Sequence, residues 1–99
     1  MLEDIRDKMR QLVRSLDYVM TIHAEEEMEN DNLSILDVEN AILTGEIVEH
    51  QRDQSTGESK YLVSGQALDD APVTVVAKLG LTGRLVFITV YRAENEYEN

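Results

Sequence analysis

Residues 73–92, VTVVAKLGLTGRLVFITVYR, hold the two most apolar segments of the chain, Val73–Leu79 and Arg84–Arg92. Both segments are rich in β-branched and aromatic side chains, which favour the extended conformation of a strand. Gly80–Gly83 separates them and has the composition of a tight turn. Because so short a turn joins antiparallel neighbours, the sequence predicts a hairpin at the centre of a sheet.

Two further strands are predicted upstream of this hairpin, at Glu46–His50 and Lys60–Ser64, where apolar and polar residues alternate. The polar loop between them contains the turn signal STG at 55–57, and a connector rich in turn residues, Gln66–Pro72, leads to the hairpin. Short links between consecutive strands are typical of an antiparallel meander. We therefore expect a four-stranded antiparallel sheet.

The N-terminal segment, residues 1–17, has the 3.6-residue apolar period of an amphipathic helix. Its apolar stripe is predicted to dock on the rest of the domain. The opposite face holds the one concentrated basic surface, which is either ordinary solvent-facing surface or an arm that binds RNA or a partner. The basic residues are Arg6, Lys8, Arg10 and Arg14.

Two more helices are predicted before the first strand. Thr21 is placed to cap a helix over Ile22–Asn30. Ser34 and Asp37 form an approximate capping box for a helix over Ile35–Thr44. Helices first and strands second indicate an α+β domain, with the N-terminal helices packed on one face of the sheet.

The predicted elements fill a single domain, residues 1–99, with a core at 18–93 and an acidic tail at 94–99 that frays. No internal repeat or linker interrupts the pattern. At the junction between helices and strands, Gly45 is expected to take the left-handed conformation of a helix C-cap.

Negative charge is concentrated in the middle of the chain. The protein has 20 Asp and Glu against 9 Lys and Arg, a net charge of −11. Residues 23–58 contain eleven of the acids and one base, Arg52, so this segment alone has a net charge of −10. Nucleic-acid-binding proteins usually present the opposite charge, because they neutralise phosphates. The distribution predicts weak RNA binding at most, and it suits a basic protein partner or cations.

The composition excludes several classes of function. With no cysteine, the chain has no disulfide, no thiolate metal site and no cysteine nucleophile. No apolar run approaches the ~18 residues that cross a bilayer, and charged residues rather than a signal peptide open the chain. Glycine-rich phosphate loops, metalloprotease motifs and serine elbows are also absent. We expect a soluble cytoplasmic domain with no cofactor, no metal and no membrane association.

His23 is the best candidate for acid–base chemistry, because it opens the second helix with Glu26 and Glu27 on the same face. That spacing also offers ligands to a divalent metal, but a second histidine is missing. The interpretation that the sequence favours for His23 is nevertheless a structural role, in which the imidazole bridges a backbone group or a carboxylate at the helix start. The remaining catalytic candidates, for a metal-independent ribonuclease, are the cations of the predicted strands: Lys78, Arg84 and Arg92.

The segment HAEEEMENDNLSILDVENAILTGEIVEH at 23–50, together with a last strand that ends ITVY, resembles the bacterial domain-of-unknown-function family 4258. The resemblance spans roughly residues 18–93. Most matching positions are helix caps and core residues, so the resemblance implies a fold more than a mechanism. They are His23, Ala24, Met28, Leu33, Ser34, Asp37, Val38, Ala41, Ile42, Gly45, Glu46, Ile47, Val48, Glu49, Gly65 and Ile88–Tyr91.

That family is similar to the RelE and BrnT toxins, which are small ribonucleases neutralised by an antitoxin protein. The resemblance implies a RelE/BrnT-like fold, an antitoxin-like partner and, as an alternative, metal-independent ribonuclease activity of the mRNA-interferase type. The family often has arginines beside the methionine of the second helix, where this chain has Glu27 and Glu29, and a histidine in the third strand, where it has Thr74. With those groups replaced, we expect a protein-interaction component or degenerate toxin of a toxin–antitoxin-like pair.

Overall fold

The structure, a computed structural model, describes residues 2–93, so the acidic tail at 94–99 and its predicted fraying lie outside the described residues. Within this range three helices and five strands follow one another. In chain order they are α1 (Leu2–Arg14), β1 (Tyr18–Met20), α2 (Ile22–Asn30), α3 (Ile35–Thr44), β2 (Glu46–Arg52), β3 (Ser59–Gln66), β4 (Pro72–Leu79) and β5 (Leu85–Arg92). The predicted α+β class is confirmed, and no helix between residues 2 and 93 is long and apolar enough to cross a bilayer.

The sheet has five strands in the described range, rather than the four predicted, and it is mixed rather than antiparallel. In the order β1-β5-β4-β3-β2, the four predicted strands form the expected antiparallel meander. β1 adds in parallel to β5, with Tyr18 opposite Leu85 and Met20 opposite Phe87. Because β1 is only three residues long, its sequence shows no clear period, and its pairing depends on residues distant in the chain. The prediction missed it for that reason.

Both predicted helix starts are confirmed. Thr21 Oγ1 accepts the backbone N–H of Ala24 at 3.1 Å and caps α2. Ser34 and Asp37 form a reciprocal capping box at α3: each side chain accepts the other residue's backbone N–H, at 3.2 and 2.9 Å. The two caps therefore fix where α2 and α3 begin, and these helices form the first part of the acidic middle segment.

The predicted left-handed conformation of Gly45 is wrong, because its backbone is extended, with φ −92° and ψ 172°. A glycine is needed there for another reason, the close approach of α3 to β3. A Cβ at Gly45 would lie 2.7 Å from Val63 Cγ1 and 2.8 Å from the Ser64 carbonyl oxygen. Gly65 on β3 faces the same helix, where a Cβ would lie 2.7 Å from the carbonyl carbon of Ala41. The last turn of α3 therefore rests directly on the sheet backbone.

The three helices lie on one face of the sheet. Along the central strands one alternating set of side chains is buried in a single core with Met9, Val38 and Ile42 of the helices. The other alternating set is only partly buried, so no described element covers that second face. The buried set is Tyr61, Val63, Val73, Val75, Ala77, Leu85, Phe87 and Val90.

Beyond β1, the edge of β5 is closed by side chains of α2 and of the residue that follows it. The backbone N–H of Val90 donates to Glu27 Oε1 at 3.0 Å, and that of Arg92 donates to Asp31 Oδ2 at 2.8 Å. These carboxylates satisfy donors that a neighbouring strand would otherwise satisfy. Two acidic residues at α2 therefore have a structural role at the sheet edge.

Candidate functional site

The four predicted catalytic residues lie in different parts of the fold. Arg84 immediately precedes β5 and Arg92 is its last residue, so they lie about 25 Å apart along eight extended residues. Lys78 is on β4, opposite Val86, and its side chain belongs to the face without helices. His23 is in the first turn of α2. The two arginines therefore cannot act on one phosphate.

Arg84 and Lys78 are each paired with a carboxylate. Arg84 Nε lies 3.1 Å from Asp17 Oδ1, and its Nη2 donates to the Tyr18 carbonyl oxygen at 3.2 Å. These contacts tie the residue before β5 to Asp17, just before β1, and to Tyr18, the first residue of β1. Lys78 Nζ lies 3.2 Å from Glu58 Oε1, which anchors the β2–β3 loop.

Arg92 joins three elements at the far end of β5. Its Nε donates to the Asp31 carbonyl oxygen at 2.8 Å, at the end of α2. Its Nη1 lies 3.7 Å from Asp69 Oδ2, in the connector before β4. The guanidinium therefore closes this end of the domain and neutralises part of an acidic surface.

His23 is exposed, with 64% of its side chain accessible to solvent. Its Nε2 lies 3.4 Å from Glu27 Oε2, so the predicted contact with a carboxylate is present. The helix start itself is capped by Thr21, not by the imidazole. Within residues 2–93, no three His, Asp or Glu side chains come together in a way that would hold a metal ion. An exposed imidazole beside a carboxylate is able to transfer protons, but each of the three predicted cations is engaged with a carboxylate other than Glu27.

Tyr18 is a titratable group that packs against the core. Burial, together with the hydrogen bond and charge of Glu39, raises the pKa of Tyr18 to about 12. Its ring packs edge-on against Phe87, with centroids 5.2 Å apart. A phenol with so high a pKa stays neutral near pH 7, so Tyr18 links β1 to α3 as a hydrogen-bond donor.

A surface that the sequence analysis missed is formed where α3 begins and the β3–β4 connector passes. We call it the acidic end; its residues are Ile35, Leu36, Asp37, Leu68, Asp69 and Asp70. The backbone N–H of Leu68 donates to Asp37 Oδ1 at 2.9 Å and holds the connector against the helix. Backbone hydrogen bonds from Ser34 and Leu68 lower the pKa of Asp37 below its ordinary value of 3.8, so this carboxylate stays charged.

The acidic end combines exposed apolar side chains with carboxylates. Leu36 is 55% exposed, Leu68 60% and Ile35 38%. Leu36 lies outside the buried stripe of α3. An apolar residue in that position of an amphipathic helix is the one feature of the sequence that indicates this surface. Leu68 gave no such signal, because it lies in a connector that only the folded chain brings to α3.

A depression of about 370 Å³ is lined by Asp4, Asp7, Lys8, Gln11 and Arg14, all on the outer side of α1. It is an open depression beside one helix, not an enclosed cavity. Two other bases of α1 are used structurally: Arg10 Nη2 donates to the Gly45 carbonyl oxygen at 2.7 Å, and Arg6 Nη1 lies 2.8 Å from Glu46 Oε1. The basic face therefore serves in part to hold α1 on the domain.

Comparison with known proteins gives one family. The family model described as a domain of unknown function (DUF4258) matches residues 20–92, from the end of β1 to the end of β5, and leaves α1 outside. No curated protein and no solved structure matches the chain significantly. Since the matched range covers about three quarters of the 99 residues and all of the sheet except the start of β1, this chain belongs to the DUF4258 family.

Proposed function

We propose that the chain is a cytoplasmic protein-interaction component of a bacterial toxin–antitoxin-like pair, a degenerate toxin with a RelE/BrnT-like fold. Its acidic end binds a basic, antitoxin-like protein partner. The observation that supports this proposal most directly is the presence of exposed leucines among carboxylates at the acidic end.

Apolar side chains supply the affinity at such a surface. Leu36 and Leu68 are each more than half exposed in the free protein, and the Asp37–Leu68 hydrogen bond fixes their relative positions. Covering the exposed part of each leucine would contribute about 1 kcal/mol. An amphipathic helix of the partner, with apolar residues three and four apart, would cover both leucines with its apolar side.

Charge selects the kind of partner. Asp37, Asp69 and Asp70 lie at the acidic end, and Arg92 contacts one of them, Asp69. Lys or Arg residues around the partner's apolar stripe would pair with these carboxylates and would be attracted by the net charge of −11. An RNA phosphate backbone would be repelled by the same charges.

The geometry favours association over ribonuclease activity. A metal-independent ribonuclease needs a general base and cations around one phosphate. Here Lys78, Arg84 and Arg92 each contact a different carboxylate, and the two arginines are at opposite ends of a strand. The same three side chains have evident structural roles in holding loops and strand ends.

The test is calorimetric titration of the purified chain with the small protein encoded by the adjacent reading frame. We expect a 1:1 complex whose affinity falls as salt rises, because the interface pairs opposite charges. Leu68→Lys should weaken the complex at least tenfold. The matched control is Leu81→Lys, since Leu81 is fully exposed in the β4–β5 turn at the other end of the sheet.

Three results would contradict the proposal. The first is an adjacent reading frame that encodes no such protein, and the second is a product that does not bind. The third is a complex that both lysine variants weaken equally, which would show that the acidic end is not the contact surface.

A further inference from the structure

The three carboxylates of the acidic end differ in what already occupies their oxygen atoms. Asp37 uses both oxygens within the fold, since Oδ1 accepts the backbone N–H of Leu68 at 2.9 Å and Oδ2 accepts that of Ser34 at 2.9 Å. These hydrogen bonds hold the helix cap and the connector together. A partner that competed for them would break the contacts that form the surface, so Asp37 is poorly placed to receive a new cation.

Asp69 faces a cation of the domain itself. Its Oδ1 accepts the backbone N–H of Ala71 at 3.0 Å, and its Oδ2 lies 3.7 Å from Nη1 of Arg92. That distance is too long for a hydrogen bond, but the two charges still attract each other. Arg92 does not depend on Asp69 for its position, because its Nε donates to the Asp31 carbonyl oxygen at 2.8 Å. A fixed positive charge therefore stands beside Asp69 and repels a second cation there.

Asp70 has neither kind of contact. It is exposed, and among residues 2–93 no group donates a hydrogen bond to its carboxylate or forms an ion pair with it. Its backbone N–H donates to the Ala67 carbonyl oxygen at 3.0 Å and closes a turn that has Leu68 and Asp69 at its centre. An unengaged carboxylate is therefore held in the same turn as the exposed Leu68.

We propose that Asp70 is the carboxylate of the acidic end that pairs with the partner's Lys or Arg, and that Arg92 keeps Asp69 out of this contact. The proposal rests on the function proposed above and names the residue that selects the partner's charge. Leu68 would be covered in the complex, and Asp70 would lie at the polar margin, where interfaces place their charges. Charges at the margin act mainly by attracting opposite charges, so their effect depends on salt.

The test is titration of the full chain with a synthetic amphipathic helical peptide that has leucines three and four residues apart and lysines at its other positions. Asp70→Asn and Asp69→Asn remove the same charge from adjacent residues, so both variants lose the same long-range attraction. At about 50 mM salt we expect Asp70→Asn to raise the dissociation constant at least threefold more than Asp69→Asn does. The difference should shrink at about 500 mM salt, because the charges are then screened.

Both variants should keep the fold. Asparagine is among the residues that tolerate the left-handed backbone of Asp70, whose φ is 69°, and at position 69 it keeps the oxygen that accepts from Ala71. Circular dichroism checks each variant. The part assigned to Arg92 is tested in the background of Arg92→Gln, where Asp69→Asn should raise the dissociation constant as much as Asp70→Asn does.

Equal effects of Asp69→Asn and Asp70→Asn in the otherwise wild-type chain would overturn the proposal. Leu68→Lys and Leu81→Lys, measured with the same peptide, separate this failure from failure of the proposed function. If Leu68→Lys alone weakens binding, the acidic end is the contact surface and only the assignment of Asp70 is wrong. If the peptide does not bind the wild type, or if both lysine variants bind it alike, both proposals fail.

Discussion

Substitution of Gly65 by alanine tests the close contact between α3 and the sheet. The added Cβ would lie 2.7 Å from the carbonyl carbon and 2.8 Å from the Cα of Ala41, and closer still to its carbonyl oxygen. Carbon atoms pack at about 3.5–4.0 Å, so α3 would have to move away by at least 0.8 Å, a lower bound of about 3.5 minus 2.7 Å. A gap of that width forfeits a quarter to a half of the dispersion energy along the contact, where Val38 and Ile42 are fully buried. We expect Gly65→Ala to lower the free energy of unfolding by about 3 kcal/mol.

Urea denaturation of the wild type, Gly65→Ala and Gly57→Ala measures this effect. Gly57 has a positive φ of 78°, and no heavy atom lies within 4 Å of the position that a Cβ would take there, so alanine costs only backbone strain, about 1 kcal/mol. Gly65 has no positive φ, so the loss there comes from the steric contact, whereas the loss at Gly57 comes from backbone strain. If Gly65→Ala is no more destabilising than Gly57→Ala, the helix does not rest on the strand as described.

Four further results are expected. Val38→Asp places a charge at a fully buried position and should lower the free energy of unfolding by more than about 4 kcal/mol. Glu29 is exposed, so Glu29→Lys should change that free energy by less than about 0.5 kcal/mol. Equal melting temperatures for the two variants would show that the helix faces are assigned wrongly. Tyr18 binds its proton more tightly in the folded state than in the unfolded state. Its contribution to the free energy of unfolding is therefore complete below pH 10 and is lost as pH rises towards 12. Denaturation at pH 8 and pH 11 should show a loss of at most about 1.4 kcal/mol that Tyr18→Phe removes. His23→Ala should cost less than about 0.5 kcal/mol in thermal unfolding, because its pair with Glu27 is exposed; a larger loss would restore a structural role for the imidazole. The dissociation constant for single-stranded RNA at about 150 mM salt should be no lower than the ~10⁻⁴–10⁻⁶ M of nonspecific contacts. A sub-micromolar dissociation constant by fluorescence anisotropy would contradict the argument from net charge.

The helices and the meander could be predicted because their signals are local. Thr21 and Ser34 are helix caps, and the apolar period beyond each of them fixes the length of a helix. β1 could not be predicted in the same way, since three residues have no period and are extended only because Leu85–Phe87 pairs with them. Gly45 shows a related limit of sequence-based prediction. A tight packing contact and a left-handed turn both require glycine, so the sequence alone does not tell which of the two is present.

The candidate site was less predictable than the fold, because it depends on which distant residues meet. Arg92 and Lys78 are the residue types that bind phosphate, yet the folded chain uses them for contacts with Asp69 and Glu58. Leu68 becomes part of a surface only through its backbone hydrogen bond to Asp37. Neither set of contacts can be predicted from the local spacing of residues in the sequence.

Cleavage of single-stranded RNA by the purified chain, alone and with the proposed partner, tests most directly whether this molecule associates or catalyses. We expect no cleavage above that of a buffer blank, with or without the partner, because the candidate base and cations do not converge. Cleavage that the partner suppresses, and that His23→Ala abolishes in a folded variant, would contradict it.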